Sequence, residues 1–544
     1  MTRINHERRD VMISNSLKEE MQKKYIDCGC WGTETFGKAL QRLAKTYGDK
    51  IALKDEKMAI SYKEWNHLVD KCANYFHEKG LKNGDKAIIQ LPNSINFFII
   101  SFAMFRMGVV PVFALPAHRE REISTFIQQT KAKAYVLARK HLGFSYEEMG
   151  KKCVLDTNCQ LYYEDEISEI LSGIGNDSIY HEENVSSYDT AVLLVSGGTT
   201  AIPKLIPRKH ADYLYDAKTF ADVVGMNEDT VFLAAIPAAH NFTFANPGVI
   251  GTALNGGCSV MCRNGGADEI IDFIIDEKVT ITSMVPSLLS ICAEMAKWED
   301  PEMFESLSTI MVGGAVLLPD ILKNAKESLN CSIRQVFGTA EGLNTITPID
   351  MPTEEIAGCQ GVAISEFDEI LIVDENDNPV QANEYGEMII RGPYTIMNYF
   401  ENKEADKEAF REDGFYRTGD KAYVDDKGYV HVCGRIREQI NKSGEKIIPA
   451  ELESVIKEHE RIRDVAVIGI PDANTGHKIC ACVVLNEAVE DMEIREYMLE
   501  KGVAAYKLPD YVMDLKNIPL TAVGKPDKKK LLELFDERQI KTYV

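Results

Sequence analysis

The chain has 544 residues, which is more than one hydrophobic core organises and predicts two to four domains at about 100–200 residues each. Hydrophobic residues make up 45% of the sequence and charged residues 27%, which excludes a collagen-like, mucin-like or wholly disordered protein. The 84 acidic and 61 basic residues give a net charge of −23, so we expect neither a nucleic acid nor a membrane as a partner.

The first half of the chain alternates short apolar runs with helical patterns. Residues 86–91 predict a strand, residues 95–107 an apolar helix and residues 109–114 a second strand, which together form a βαβ unit with parallel strands. Pro92 and Asn93 interrupt this apolar stretch, so it does not predict a membrane span. Further strands are predicted at 134–137, 191–195, 231–236, 259–261 and 280–282, with a helix at 267–277.

From about residue 360 the pattern changes to short strands separated by turns. Residues 369–373, 386–391 and 428–433 predict β-strands, and the remainder of the chain has a helix-and-strand pattern of its own. The sequence therefore predicts an α/β protein. A large N-terminal domain of doubly wound sheets plus a β-rich subdomain is expected at residues 1–434, and a small α+β C-terminal domain at 435–544.

The cysteine pattern bears on the compartment of the protein. The thirteen cysteines are odd in number, and Cys28 with Cys30 and Cys480 with Cys482 form isolated pairs without the matched CxxC clusters of a zinc site. We therefore expect reduced thiols. The first residues of the sequence are polar and charged and show no secretory signal, so we expect a cytoplasmic protein.

A loop rich in glycine and hydroxyl side chains follows the predicted strand at 191–195. Glycines let backbone N–H groups approach phosphate oxygens, hydroxyls add donors, and a lysine neutralises phosphate charge. The segment lacks the GxxxxGK[ST] pattern of a P-loop, and on its own it is equally consistent with an ordinary turn. Its candidate phosphate-binding residues are Ser196, Gly197, Gly198, Thr199, Thr200 and Lys204.

This loop resembles the phosphate-binding signature of the adenylate-forming (ANL) superfamily, which comprises acyl-CoA synthetases, peptide-synthetase adenylation domains and luciferases. The other signatures of the superfamily follow in the same order at residues 337–342, 386–393, 416–420, 434–444 and 524–525. Within the superfamily the chain resembles the stand-alone aryl acid–AMP ligases of siderophore biosynthesis, the 2,3-dihydroxybenzoate–AMP ligases. That similarity rests on Cys30-Trp31 and on residues 106–119, 204–208 and 237–242.

The resemblance implies a site for ATP and Mg²⁺. Glu341 matches the glutamate associated with the magnesium of MgATP, and its alternative is a solvated loop acid. Asp420 matches the acid that accepts hydrogen bonds from both ribose hydroxyls, and Arg435 also lies near the ribose in relatives. The segments that flank adenine in relatives correspond to small or apolar residues, which fit a plain core equally well, namely Gly314, Ala315, Val336, Gly338 and Thr339.

Three residues are predicted to be catalytic. Lys525 matches the lysine that bridges the attacking carboxylate and the α-phosphate, where a cation stabilises developing charge; its alternative is a surface lysine. His240 matches the histidine beside the substrate carboxylate, although a lone histidine is more often packed in a core. Lys204 belongs to the phosphate loop. The small C-terminal domain is mobile in relatives, and Arg437 occupies their hinge position, so we expect a rotation between two half-reactions.

The residues expected around the aryl acid differ from those of relatives. Asn241, beside Phe242, matches the asparagine that bonds ring hydroxyls. Asn246 stands where dihydroxybenzoate ligases place serine and salicylate ligases cysteine, and Asn344 replaces an apolar residue. If both amides face the ring, a hydroxylated or heteroaromatic acid is favoured over benzoate; the alternative is that they turn away to bond the backbone. 2,3-Dihydroxybenzoate is the leading candidate, and a modified hydroxy-aryl acid is its rival.

Two further positions depart from the family pattern. Ala201 stands where the phosphate loop usually has glycine, and Asn398 stands where another glycine is usual. Alanine disfavours positive φ, so the loop is expected to be slightly altered. Neither change removes a charged or catalytic group.

The resemblance implies a reaction in two halves. An aromatic carboxylate attacks the α-phosphate of ATP to give aryl-AMP and pyrophosphate. The phosphopantetheine thiol of an aryl carrier protein, expected as a separate chain, then attacks the aryl-AMP and releases AMP. The alternatives are an aryl- or acyl-CoA ligase of the same superfamily and a non-catalytic binding protein. The second is disfavoured because Glu341, Asp420 and Lys525 are all present.

Overall fold

The computed structural model describes residues 13–173, 178–181, 184–196, 203–315, 317–436, 439–442, 445–472, 475–487, 491–501, 503, 505–521 and 524–538. The chain divides into two compact units. The first contains residues 1–357, 361–370 and 390–416, and the second contains residues 358–360, 371–389 and 417–544. The second unit takes in part of the segment before residue 434, and the predicted boundary at 434–435 stays a prediction.

The first unit contains helices and strands in alternation. Its helices are α1 (Asn15–Asp27), α2 (Phe36–Tyr47), α3 (Tyr62–Glu78), α4 (Ile95–Met107), α5 (Glu120–Thr130), α6 (Tyr146–Cys153), α7 (Glu164–Ser172), α8 (His210–Val224), α9 (Asn241–Phe244), α10 (Gly248–Leu254), α11 (Ala267–Asp276), α12 (Pro286–Ala296), α13 (Pro319–Leu329), α14 (Thr353–Ile356) and α15 (Lys403–Ala409), with a 3₁₀ helix at Pro301–Phe304. Its strands are β1 (Ile51–Lys54), β2 (Ala59–Ser61), β3 (Lys86–Gln90), β4 (Val110–Phe113), β5 (Ala134–Leu137), β6 (Lys140–His141), β7 (Phe144–Ser145), β8 (Gln160–Tyr163), β9 (Thr190–Val195), β10 (Leu205–Lys209), β11 (Val231–Ala234), β12 (Cys258–Met261), β13 (Ile281–Met284), β14 (Thr309–Gly313), β15 (Ser332–Thr339), β16 (Gly342–Ile346) and β17 (Val362–Ala363).

Strands β6 and β7 pair with each other, and the other fifteen form two large sheets. One has six strands in the order β10-β9-β4-β3-β5-β8, and the other has nine in the order β17-β16-β15-β14-β13-β11-β12-β1-β2. Interior neighbours such as β3 and β4 or β13 and β14 pair in parallel, whereas β10 and β16 join as antiparallel strands. Parallel pairs require crossover connections, and helices supply them. The predicted doubly wound α/β class is confirmed.

Helix α4 shows why this sequence folds as it does. Ser94 caps it by accepting a hydrogen bond from the Phe97 N–H at 3.3 Å, and Gly108 ends it in the left-handed conformation at φ 70°. Nearly every side chain of the helix is buried, including Arg106, which forms an ion pair with Asp70 at 2.7 Å. The apolar run between β3 and β4 is therefore a core helix, as the sequence predicts.

The second unit contains most of a four-stranded sheet, β18 (Glu369–Val373), β19 (Gly386–Arg391), β20 (Tyr416–Val424) and β21 (Val430–Arg435), in that order. Its remaining strands are β22 (Ile440–Lys442), β23 (Glu445–Ile447), β24 (Ile462–Asp472), β25 (Gly476–Leu485) and β26 (Tyr511–Asp514). They form a sheet ordered β23-β22-β25-β24, with β26 also paired to β25. The helices are α16 (Pro449–Lys457), α17 (Asp491–Glu500) and α18 (Lys528–Arg538), with a 3₁₀ helix at Ala505–Lys507.

Strands β24 and β25 form the centre of this smaller unit. Alternate residues point to opposite faces, so that Ile479 and Ala481 belong to one buried cluster and Cys480 and Cys482 to another. Both faces of the sheet are therefore covered, which gives the C-terminal part a core of its own. The predicted combination of a large N-terminal sheet domain and a smaller α+β domain is confirmed.

All thirteen cysteines carry free thiols, and Cys480 and Cys482 are buried in the core of β25. Among the described residues, no group of three or more histidine, cysteine, aspartate or glutamate side chains is placed to hold a metal ion. No helix in the described part of the chain is long and apolar enough to cross a membrane.

Candidate active site

The base of the predicted phosphate loop is a closed turn between antiparallel strands. Strands β9 and β10 flank it, and the Ser196 N–H donates to the Lys204 carbonyl oxygen at 3.0 Å. The Lys204 N–H returns a hydrogen bond to Ser196 Oγ at 3.0 Å. The rest of the predicted loop lies outside the described residues, namely Gly197, Gly198, Thr199, Thr200 and Ala201, the last of which differs from the family pattern. Two ends of the loop are thus fixed, and its phosphate-binding role stays a prediction.

One tyrosine brings the loop lysine and the predicted metal-associated acid together. Lys204 Nζ lies 4.6 Å from the ring centre of Tyr399, and the Tyr399 hydroxyl donates to Glu341 Oε1 at 2.9 Å. Burial, together with the nearby Glu341 carboxylate, raises the pKa of Tyr399 far above its ordinary value, so this hydroxyl stays a donor. Tyr399 was not predicted from the sequence. The only sequence feature that points to it is its position directly after Asn398, which differs from the family pattern.

Glu341 lies at the carboxyl end of β15, where the chain turns back into β16. The Ile396 N–H donates to the Glu341 carbonyl oxygen at 2.8 Å. Gly342 follows at φ 138°, and a Cβ there would lie 2.5 Å from the Thr395 backbone, so only glycine fits this close approach. A single carboxylate suits Mg²⁺ that arrives on a nucleotide, because Mg²⁺ takes one or two carboxylates plus phosphate oxygens.

The residues predicted to flank adenine lie at the ends of two parallel strands. Gly314 and Ala315 follow β14, and Val336 pairs with Gly313 across to β15, which continues through Gly338 to Thr339. Because ligands bind at the carboxyl ends of parallel strands, this edge of the nine-stranded sheet is a suitable place for a nucleotide. Val336 is buried, whereas Gly338 is exposed.

His240 caps the short helix α9 after strand β11. Its Nδ1 accepts the Phe242 N–H at 3.2 Å, which leaves the ring proton on Nε2. The segment before it is held by Asn93, whose amide donates to the carbonyl oxygens of Ala234 and Ile236 and accepts the Ala238 N–H. His240 is only half-buried, so it is not a packed core residue. Its ring is held in place through Nδ1 and has one N–H donor, at Nε2.

Asn241 and Phe242 connect this helix to the adenine edge. The Phe242 ring lies 3.4 Å from where a Cβ on Gly313 would be, so α9 packs against the end of β14. Asn241 is half-buried, and its Oδ1 accepts a short hydrogen bond from the Tyr213 hydroxyl on α8. The predicted aryl-acid segment and the predicted adenine segment are therefore neighbours in the first unit.

Asn344 belongs to a buried polar network. Its Nδ2 donates to Asp216 Oδ1 at 2.8 Å, and Asp216 Oδ2 accepts from Arg208 Nη2 at 2.9 Å. Burial outweighs the attraction of Arg208 and raises the pKa of Asp216 to about 6. The NH₂ group of Asn344 thus bonds a buried side chain rather than the backbone, and its role toward a substrate stays a prediction.

Asn246 differs from Asn344 because its amide is unsatisfied. The side chain is 2% exposed, and neither Oδ1 nor Nδ2 has a hydrogen-bond partner among the residues that the structure describes. A buried amide without partners costs about 1–3 kcal/mol. The backbone N–H of Asn246 donates to the Asn241 carbonyl oxygen at 3.1 Å, so both asparagines belong to one turn.

Asp368, which Tyr394 joins to the network of Asn344 and Asp216, predicts a pH-dependent stability, since the Tyr394 hydroxyl accepts from the Asn344 N–H at 3.3 Å. Tyr394 donates to Asp368 Oδ2, and burial raises the pKa of Asp368 from 3.8 to about 8. Between these values the folded chain keeps a proton that the unfolded chain has lost, so this contribution is complete below pH 4 and is lost as the pH rises toward 8. We expect Asp368→Asn to flatten the fall in unfolding midpoint between pH 5 and 8, measured by thermal denaturation. Asp49→Asn, at a side chain 92% exposed, is the control, and parallel pH profiles for wild type and Asp368→Asn would contradict the prediction.

In the second unit, the predicted ribose acid is paired with its predicted neighbour. Asp420 Oδ1 lies 2.9 Å from Arg435 Nε, and Arg435 Nη1 donates to the Thr418 carbonyl oxygen at 2.8 Å. The two residues face each other across β20 and β21. Asp420 is buried and Arg435 is exposed, which leaves the guanidinium accessible while the carboxylate is held.

Lys525 closes a tight turn before α18. The Thr521 N–H donates to the Lys525 carbonyl oxygen at 2.7 Å, and the Lys525 N–H donates to Thr521 Oγ1 at 3.2 Å. The lysine side chain is exposed, so the turn presents it to solvent. Arg437 lies outside the described residues, and the mobility of the C-terminal domain stays a prediction.

Comparison with known proteins finds relatives over nearly the whole chain. The model of the AMP-binding enzyme family matches residues 40–400, and that of the AMP-binding enzyme C-terminal domain matches residues 451–525. The 2,3-dihydroxybenzoate-AMP ligase of Bacillus subtilis (strain 168) is 38% identical over 96% of this chain and 97% of its own. Pyochelin synthase PchD of Pseudomonas aeruginosa (strain UCBPP-PA14) is 37% identical over 94% of both. The apo structure of MbtA from Mycobacterium smegmatis matches with a TM-score of 0.72 at 33% identity, over 96% of this chain and 100% of that one.

Proposed function

This chain belongs to the family of AMP-binding enzymes, and we propose that it converts a hydroxylated aromatic acid to its aryl-AMP and transfers the aryl group to a carrier-protein thiol. The resemblance to adenylate-forming ligases that the motifs predict is confirmed by the family match. The packing of Phe242 against Gly313 gives this function its main structural support. It brings the segment predicted for the aryl acid next to the segment predicted for adenine, which supports binding of the acid beside the nucleotide whose α-phosphate it attacks.

In the first half-reaction, a carboxylate oxygen of the acid forms a bond to the α-phosphorus while the bond to the pyrophosphate oxygen breaks. His240 can orient the attacking carboxylate through its Nε2–H, because Nδ1 is already used as an acceptor. Lys204 and Lys525 are the cations for the phosphate charge, and Asp420 with Arg435 is suited to the ribose. When bound, Mg²⁺ would be held by Glu341 and would neutralise phosphate charge.

In the second half-reaction, the phosphopantetheine sulfur forms a thioester with the aryl carbonyl carbon, and AMP leaves. The thiol proton is lost to solvent or to the departing phosphate. The chemistry of this step is the same for a carrier protein and for free CoA, because both present the same phosphopantetheine thiol. The similarity to aryl acid–AMP ligases favours a carrier protein over free CoA as the source of this thiol.

Pyrophosphate exchange across a panel of aryl acids tests the first half-reaction. We expect ATP–pyrophosphate exchange with 2,3-dihydroxybenzoate or 2-hydroxybenzoate and little exchange with octanoate. Mass spectrometry then follows loading of a phosphopantetheinylated aryl carrier protein, with free CoA in a parallel reaction. Absence of exchange with every aryl acid would overturn the proposal, and thioester formation on CoA at the carrier rate would replace the carrier protein by CoA.

The unsatisfied amide of Asn246 predicts which acids are preferred. An apolar ring would leave both its polar atoms without partners, whereas a ring hydroxyl can pair with either. We expect kcat/KM for 2,3-dihydroxybenzoate to exceed that for benzoate at least tenfold, because one lost hydrogen bond of about 1.4 kcal/mol corresponds to a factor of ten. In Asn246→Ala we expect this ratio to fall about tenfold and, since a buried orphan amide is removed, the unfolding midpoint to rise.

Asn255→Ala is the matched control for this prediction. Its amide is satisfied by the Gly251 carbonyl oxygen at 3.0 Å and lies outside the site, so its loss is expected to lower the unfolding midpoint and leave the ratio unchanged. Benzoate used as efficiently as every hydroxylated acid by the wild type would show that Asn246 does not contact the ring.

A further inference from the structure

Helix α8 carries a buried arrangement that the motifs do not mention. Tyr213 and Asp216 lie one turn apart on it, and both contact the guanidinium of Arg208. The Arg208 guanidinium carbon lies 4.3 Å from the ring centre of Tyr213, and Nη2 lies 2.9 Å from Asp216 Oδ2. All three side chains are fully buried. The Tyr213 ring is therefore clamped, and its hydroxyl has one fixed direction.

That hydroxyl donates to Oδ1 of Asn241. An amide whose oxygen accepts from a fixed donor turns its NH₂ group the other way, so a ligand on the side of Asn241 opposite Tyr213 meets the NH₂ group. Burial raises the pKa of Tyr213 well above its ordinary value, so the phenol stays a donor at any assay pH. Asn241 directly follows His240, the residue expected beside the substrate carboxylate, so its NH₂ would meet the ring substituent next to that carboxylate.

We infer that Tyr213 is a positioning residue that fixes the amide of Asn241 as a donor, so that the enzyme requires a hydrogen-bond acceptor at the ring position adjacent to the carboxylate. This inference rests on the proposed function and deepens it. A 2-hydroxyl group can accept from Asn241, whereas a 2-amino group of the same size, whose lone pair is conjugated with the ring, can only donate. The ratio of kcat/KM for 2-hydroxybenzoate to that for 2-aminobenzoate therefore reports the orientation of the Asn241 amide.

Pyrophosphate exchange with these two acids, in wild type and in Tyr213→Phe, tests the inference. The wild type is expected to favour 2-hydroxybenzoate over 2-aminobenzoate by at least 30-fold in kcat/KM. Phenylalanine keeps the ring beneath Arg208 but frees the Asn241 amide to turn, so that its oxygen can accept from an amino group. We expect the ratio in Tyr213→Phe to fall below about fivefold, with an absolute gain for 2-aminobenzoate that general damage to the fold cannot produce.

Two further variants separate positioning from stability. Asn241→Asp can still accept from Tyr213 but offers only acceptors to the ring, to which a 2-hydroxyl group and a 2-amino group can both donate, so we expect the ratio to fall below about fivefold. Tyr62→Phe removes a hydroxyl that is equally buried but bonds the Gly257 carbonyl oxygen at 2.6 Å rather than Asn241, and it is expected to leave the ratio unchanged. If Tyr213→Phe is poorly soluble, Asn241→Asp alone decides the orientation.

The outcomes distinguish this inference from the proposed function. A wild type without exchange on any aryl acid refutes the proposed function. A wild type active on both acids within threefold, or an unchanged ratio in Tyr213→Phe, overturns the inference and leaves the proposed function standing. A ratio in Asn241→Asp as high as that in the wild type would show that the N–H of Asn241 does not set the preference, which also overturns the inference.

Discussion

Lys525→Ala is expected to lower kcat for aryl-AMP formation by about 100-fold to 1,000-fold while the affinity for ATP changes little. A charge that stabilises mainly the transition state contributes to kcat rather than to ground-state binding, and removal of one such group costs about this much. The exposed turn between Thr521 and α18 makes the substitution locally harmless, because the turn is closed by backbone atoms of Lys525 and its hydrogen bond to Thr521. Single-turnover formation of aryl-AMP and equilibrium binding of ATP measure the two quantities.

Lys529→Ala is the matched control for Lys525. It removes an exposed lysine four residues further on, in the first turn of α18, and is expected to change neither quantity. A loss of ATP affinity in Lys525→Ala with kcat preserved would contradict the predicted role. Equal losses in both control and test variant would indicate that net charge, rather than this position, matters.

Arg208→Met is expected to lower the free energy of unfolding of the first unit by about 3–5 kcal/mol, because it leaves buried carboxylates without their counter-ion. Arg208 donates to Asp212 Oδ1 and to Asp216 Oδ2, both at 2.9 Å, and none of these three side chains is exposed beyond 8%. Denaturant unfolding followed by tryptophan fluorescence is a suitable measurement, since Trp31, Trp65 and Trp298 all belong to the first unit.

The loss in Arg208→Met is expected to shrink as the pH falls toward 6. With Arg208 present the pKa of Asp216 is about 6, and Arg208 lowers it, so without the guanidinium this carboxyl takes up a proton at a higher pH and its uncompensated charge is removed. Arg139→Met is the control: Arg139 has acidic neighbours in Glu147, Asp165 and Glu166, but water screens these exposed pairs, so only a small shift of the midpoint is expected. Comparable shifts for the two variants would contradict the argument from burial.

Much of the site was predictable because its signals are local. The glycine-rich loop, Glu341 and the Lys525 turn were each identified from a few consecutive residues, since backbone approach to phosphate and charge placement require particular residue types at short spacing. Helix α4 and strands β3 to β5 were equally predictable, because an apolar run with a serine cap and a terminal glycine specifies a helix with little tertiary context.

The partners of those residues were not predictable from the sequence. Tyr399 donates to Glu341 across 58 positions, and Asn344 donates to Asp216 across 128. Sequence reasoning left open whether Asn246 and Asn344 face the ring or bond the backbone. The structure shows that the NH₂ group of Asn344 bonds Asp216, whereas both polar atoms of the Asn246 amide are unsatisfied among the described residues.

The sequence by itself determined the fold class, the family and the candidate residues, because periodicity, caps and motif spacing are properties of neighbouring residues. Only the tertiary structure decided which side chains are charged neighbours, which amides are satisfied and how Asn241 is oriented. Hydrogen bonds and ion pairs in a core depend on atoms brought within about 3 Å by the packing of distant elements, and that distance is set by the whole sheet and its helices rather than by any one segment.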